Sequence, residues 1–193
     1  MALPQLKKGT NFTYGDYVNW PEDERWELID GYAYNMSPAP SRRHQKISRD
    51  LEFQIVNFLV DKPCEVYDAP FDVRLPEADE QDEDIETVVQ PDIVVVCDKS
   101  KLDDKGCRGA PDLIIEILSP FTAPKDMKIK LSLYEKHGVK EYWVVHPIDN
   151  IVMVFKLGKN KKYGKPEVYT EEDKIKTAIL EGLEIELSKV FQE

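Results

Sequence analysis

Cysteine is scarce in this chain: Cys64, Cys97 and Cys107 are all that 193 residues hold, and none stands in C-x-x-C spacing. An odd, scattered set indicates neither a disulfide framework nor a zinc site, and two of the three sit in or beside apolar stretches as ordinary buried thiols would. No run of 18 apolar residues occurs, which excludes a membrane-spanning helix of ordinary length. The first residues lack the charged-then-apolar order of a secretion signal, so the expected location is the cytoplasm, with no membrane partner. The nine glycines form no phosphate-cradling loop, and Gly109 and Gly138 stand isolated. Internal repeats are absent. Positive charge is short too: 26 Lys and Arg face 37 Asp and Glu, a net charge of −11. That balance argues against a surface built for tight nonspecific binding of DNA. Part of it is local, because residues 77–86 carry seven acids in ten positions. Such a run reads as a solvated, exposed loop. The length suits one domain, 1–193, with a substantial core and a loose arm over residues 1–11.

What is present centres on residues 90–130. Gln90-Pro91-Asp92-Ile93-Val94-Val95-Val96-Cys97 and Ala110-Pro111-Asp112-Leu113-Ile114-Ile115-Glu116-Ile117-Leu118 are near-continuous aliphatic runs, the pattern of strands buried on both faces of a sheet. Each carries acid where acid is expensive. A buried carboxylate must be paired, hydrogen-bonded or bound to a metal. On the strands alone two readings stay open. Asp92 and Glu116 hold a hard divalent cation, or Asp92 caps a turn and Glu116 pairs with a structural Lys or Arg. Asp112 is an alternative first acid. It lies about 13 Å from Glu116 along the strand, too far to share one cation comfortably, which makes Asp92 the better partner.

A helix is expected over 124–137, stopped by Gly138. At roughly 100° per residue, Leu133, Asp126, His137, Lys130, Tyr134, Met127 and Leu131 share one arc, with Lys125, Lys128 and Lys136 outside it. Lys130 therefore falls near the middle of the inward face, a position that a lysine partnered with buried acids requires and a solvated one does not. Two carboxylates holding Mg²⁺ (or Mn²⁺), with a lysine to orient or deprotonate a bound water, is nuclease chemistry.

Elsewhere, segments 25–29 and 32–36 flank Asp30-Gly31, a strong hairpin signal. Glu27 points opposite to Trp26 and Leu28, either to solvent or into a site. A long helix over 41–61 buries Ile47, Leu51, Ile55, Phe58 and Leu59. His44 sits in its first turns, where histidine more often packs or caps than ligates. Short strands follow at 64–68 and 71–75, a polar connection at 98–109, and a second hairpin from 140–146 and 151–157.

Together these segments resemble the PD-(D/E)xK restriction-endonuclease-like superfamily, and more closely the Uma-two family of bacterial restriction-endonuclease-like proteins. The resembling stretches are Trp26-Glu27-Leu28-Ile29-Asp30-Gly31, Met36-Ser37-Pro38, Arg43-His44-Gln45, Gln90-Pro91-Asp92, Cys107-Arg108-Gly109-Ala110-Pro111-Asp112, Glu116-Ile117-Leu118-Ser119-Pro120, and Lys130-Leu131 through Tyr142-Trp143. The resemblance implies an α/β fold with a restriction-endonuclease-like central mixed sheet, flanking helices and an N-terminal β-hairpin. It implies a DNA endonuclease with Asp92 and Glu116 as metal ligands, Lys130 as catalytic cation, and Glu27 and His44 in support. Duplex cleavage would favour a homodimer. One departure stands out: the usual lysine lies two residues after the second acid, and here that position is Leu118. Lys130 would have to take over the role; if it pairs structurally instead, the chain is a retired nuclease fold kept for binding or regulation.

Overall fold

The computed structural model describes residues 11–21, 24–36, 39–120, 123 and 125–192. All of the expected N-terminal arm but Asn11 lies outside them, as do Ser37, Pro38 and the helix start at Pro124. After a short helix, α1 (Tyr14–Tyr17), strands β1 (Trp26–Ile29) and β2 (Tyr32–Asn35) form the N-terminal hairpin. Its turn residues Asp30 and Gly31 have φ of 48° and 73°, the pair of positive angles that the tight, twist-matched turn demands. Glycine is required at the second position, because a Cβ there would lie 2.9 Å from Asn11 Cα.

Helix α2 (Arg42–Leu59) begins at Ser41, whose hydroxyl accepts the His44 N–H and satisfies one otherwise orphaned donor. Its stripe of Ile47, Leu51, Ile55 and Leu59, four residues apart, is buried. The stripe packs on one face of a six-stranded sheet, assembled from β3 (Glu65–Asp68), β6 (Ile93–Val96), β9 (Leu113–Ile117), β10 (Glu141–His146), β11 (Ile151–Lys156) and β12 (Glu167–Thr170). Only β9 and β10 run parallel, and between them lie a π-helical turn, Lys125–Lys130, and α3 (Leu131–His137). Gly138 ends α3 in the left-handed region, φ 84°, as expected of a helix stop.

A second six-stranded sheet joins β2 and β1 to β5 (Val88–Val89), β4 (Val73–Arg74), β8 (Gly106–Arg108) and β7 (Leu102–Asp103). The α/β architecture expected from sequence is present, with a mixed sheet, flanking helices and the N-terminal β-hairpin, and a second mixed sheet accompanies the first. The connection over 98–109 is not merely polar loop: it contains β7 and β8, with β8 parallel to β4. A small hairpin, β13 (Lys174–Lys176) and β14 (Glu184–Glu186), and α4 (Leu187–Phe191) close the chain over the α2 side of the core.

Two further expectations need correction. Cys64 and Cys97 form a disulfide. The β3–β6 register pairs Glu65 with Val96, and one more step sets the cysteines opposite each other, a relation invisible in their separation of 33 residues. The acidic segment is mostly exposed, yet it is tied down. Asp82 ion-pairs with the fully buried Arg74 and with Lys105 and Arg108, and Ile85 is buried against Tyr14 and Leu28.

Candidate active site

Strand alternation decides where the acids point. In β6 and β9, Ile93, Val95, Leu113, Ile115 and Ile117 face α2, while Val94, Val96 and Ile114 face α3. Asp92 and Glu116 are in phase with the second set. The register pairs Ile93 with Ile115, and its next step brings Asp92 opposite Glu116. Cross-strand neighbours of this kind stand roughly 5 Å apart at Cβ. In β1, Glu27 shares its face with Ile29, which belongs to the same core region as Ile114 and Tyr134. Trp26 and Leu28 pack into a separate cluster. Glu27 is fully buried, so the solvent-facing alternative is excluded.

Around a cavity of about 60 Å³ the structure brings together all five sequence-derived residues, Glu27, His44, Asp92, Glu116 and Lys130. It adds two with no role from sequence, Lys125 and Asp126. Lys130 Nζ lies 2.7 Å from Glu27 Oε1, 2.7 Å from Glu116 Oε1 and 3.7 Å from Asp126 Oδ1. Lys125 Nζ pairs with Glu27 Oε2. The Gln90 N–H also donates to Glu27 Oε1, at 3.0 Å, so both oxygens of Glu27 are engaged and it anchors two ammoniums at once. The Tyr134 hydroxyl donates to Glu116 Oε1 at 2.9 Å. The Ile117 N–H donates to Asp92 Oδ2 at 2.7 Å, and His44 Nε2 stands 3.3 Å from the same oxygen.

Lys125 falls outside the inward arc drawn from sequence because that arc assumes 3.6 residues per turn. The turn Lys125–Lys130 is π-helical, with hydrogen bonds five residues apart. Positions i and i+5 then overlie one another, and Lys125 and Lys130 reach the same carboxylate. Sequence periodicity carries no signal for such a turn. Asp112, the alternative first acid, serves structure. Its Oδ2 accepts the Cys97 N–H at 2.7 Å and its Oδ1 the Lys140 ammonium at 2.6 Å, clamping the far end of the β6–β9 pair.

The charges are unevenly resolved. Burial opposes ionisation of Glu27, but Lys130 and Lys125 outweigh it and lower its pKa to about 2. Glu116 goes the other way, to about 8, through burial reinforced by Asp126, Asp92 and Glu27, with Lys130 pulling against them. Lys130 itself is raised well above its ordinary value despite burial, by Glu116, Glu27 and Asp126. An ion pair with so firm an ammonium should lower Glu116. The two acids differ in their partners: Glu27 is paired with both Lys125 and Lys130, whereas Glu116 has Lys130 alone and shares it with Glu27, so Glu116 is the acid whose proton is held more tightly. Burial opposes the charged form of His44, while its hydrogen bond to Asp92 and the charge of Asp92 raise it.

A family model described as "Putative restriction endonuclease", Uma2, matches residues 14–188. The chain belongs to the Uma2 family. A curated relative, "Uncharacterized protein slr1290" of Synechocystis sp., is 28% identical over 121 residues, 62% of this chain and 60% of that protein. A solved chain from Anabaena variabilis, described as "a putative nuclease belonging to DUF820", aligns with a TM-score of 0.73 over 93% of this chain and 97% of its own. At 19% identity that likeness shows a shared fold.

The Uma2 site can be tested for a divalent cation on its own donors. Four carboxylates, Glu27, Asp92, Glu116 and Asp126, share the cavity with two ammoniums and His44, an excess of oxygen ligands over cationic groups that suits a hard cation. Asp92 and Glu116 each engage one oxygen with protein groups. Asp92 Oδ1 and Glu116 Oε2 have no such partner among the described residues. Among those residues no three His, Cys, Asp or Glu form a ready cage. Mg²⁺ does not need one, since it takes one or two carboxylates and keeps its waters or a substrate phosphate. The donor set fits the ion.

Proposed function

We propose that this chain is a metal-dependent phosphodiesterase that hydrolyses DNA. The observation that carries the reading is the cross-strand pairing of Asp92 and Glu116, each with one unengaged oxygen, beside a lysine fixed by two more acids. Asp92 and Glu116 would hold Mg²⁺ or Mn²⁺, which supplies charge stabilisation at the phosphate and a more acidic bound water.

The protein's own groups do the rest. The Ile117 N–H, His44 and Tyr134 each hold one oxygen of the two ligand carboxylates, so both present their other oxygen in a set direction. Glu27 fixes Lys130 at one oxygen, and Lys130 in turn orients the attacking water or stabilises the charge that develops on the phosphate. A wider groove of about 370 Å³ shares Met36, His44, Gln90 and Asp92 with the cavity and continues past Arg25, Gln45 and Arg49. It offers donors for the flanking nucleotide.

A second reading has its own support: Leu118 stands where the superfamily's lysine would be, and the net charge is −11. On that reading the fold is a retired nuclease that binds or regulates. Assays with Mg²⁺ or Mn²⁺ on duplex and single-stranded DNA separate the two. Cleavage that disappears in both Asp92→Asn and Glu116→Gln supports the nuclease, and a wild type inert on every nucleic acid supports the retired fold.

A further inference from the structure

We propose that Lys125 forms a phosphate subsite beside the Asp92–Glu116 pair, taking an oxygen of the scissile phosphodiester, while Lys130 stays fixed between Glu27 and Glu116. The identity of the anion rests on the nuclease reading; the subsite itself rests on geometry.

The two lysines differ in how fully they are used. An ammonium has three donors. Those of Lys130 face Glu27, Glu116 and, more distantly, Asp126. Lys125 is 4% exposed and lines the same cavity, yet among the described residues its Nζ pairs with Glu27 alone. A buried ammonium with unused donors is costly unless an acceptor reaches it. At about 60 Å³ the cavity admits waters or a few phosphate oxygens, and a nucleoside is excluded by size. The nucleoside belongs in the adjoining groove, which leaves the phosphate as the part of a nucleotide that can meet Lys125.

Preorganisation favours the same assignment. Glu27 is held by the Gln90 N–H and by Lys130, so the anchor of Lys125 cannot follow an incoming anion and the ammonium is already in place. Lys130 keeps its place between Glu27 and Glu116 and acts on the phosphate through its charge or the attacking water, so the direct contact to a phosphate oxygen falls to Lys125.

The test is calorimetric titration of inorganic phosphate into the Mg²⁺-saturated protein, with melting curves alongside. Wild type should bind phosphate. Lys125→Met should weaken that binding by about tenfold or more, the usual scale for a lost charge-assisted hydrogen bond, and Lys125→Arg should restore most of it. If Lys125→Met does not fold, Lys125→Gln, which removes the charge and keeps a polar donor near Glu27, is read in its place. A wild type without phosphate affinity, or a folded Lys125→Met protein that binds phosphate as tightly as wild type, overturns the subsite. Cleavage assays keep the two claims apart. DNA cut equally by wild type and Lys125→Met removes the subsite and leaves the nuclease. Phosphate bound through Lys125 by a protein that cuts no nucleic acid leaves the subsite and removes the nuclease.

Discussion

Glu116 is the residue on which the site's electrostatics turn. Its folded pKa is raised from 4.5 to about 8, so its contribution to stability is complete below pH 4.5 and is lost as pH rises through 8. The cation-free protein should therefore melt at progressively lower temperature between those values, and a bound divalent cation should offset the loss. Near pH 7 Glu116 holds its proton, and a cation taking that carboxylate must expel it. Titration of Mn²⁺ in buffers of differing ionisation enthalpy should show close to one proton released at pH 7 and little at pH 9. Glu116→Gln should release none. Lys130 gives a second prediction. Lys130→Met leaves Glu27 with Lys125 and leaves Glu116 with no cation, and breaking a buried pair on one side costs about 3 kcal/mol. The loss should be greater at pH 8 than at pH 6, where Glu116 is neutral in either protein. Turnover should fall on the order of a hundredfold. A variant that cuts as fast as wild type would remove Lys130 from the mechanism.

At the scale of elements, the π-helical turn brings two lysines to one carboxylate. Deleting the exposed Lys128 should let the segment relax to ordinary α-helix, since a π turn amounts to one extra residue in a helical run. Lys125 would then rotate off Glu27. Far-UV circular dichroism and melting temperature should change little while cleavage is lost; retained cleavage would show that the turn's register is immaterial. The acidic segment is the other informative element. Arg74 is fully buried and ion-paired with Asp82 and Asp103. Asp82→Ala should destabilise by about 3 kcal/mol, because it leaves a buried guanidinium half-paired. Urea unfolding checks this, and an unchanged midpoint would return residues 77–86 to the solvated loop that their composition suggests.

Across the whole molecule, what could be read from sequence was whatever a local period or turn encodes. The four-residue stripe of α2, the positive-φ pair Asp30-Gly31 and the helix stop at Gly138 are of this kind. So is the inward position of Lys130. Glu27 was half legible: alternation gave its direction relative to Trp26 and Leu28, but only the second sheet shows that this direction is inward. What stayed hidden depends on partners distant in the chain or on a departure from ideal geometry. Cys64 and Cys97 meet only through the β3–β6 register, Asp82 is held by Arg74, Lys105 and Arg108, and Lys125 turns inward only on a π turn. The net charge of −11 makes the cation central to the account, since an acidic chain must recruit positive charge before it can hold a phosphate. The most direct measurement is anomalous diffraction from crystals soaked in Mn²⁺. A cation site here requires a peak between Asp92 and Glu116, bonded to an oxygen of each, that vanishes in Glu116→Gln. Crystals with no peak there, or with Mn²⁺ only at surface acids such as those of residues 77–86, would contradict it.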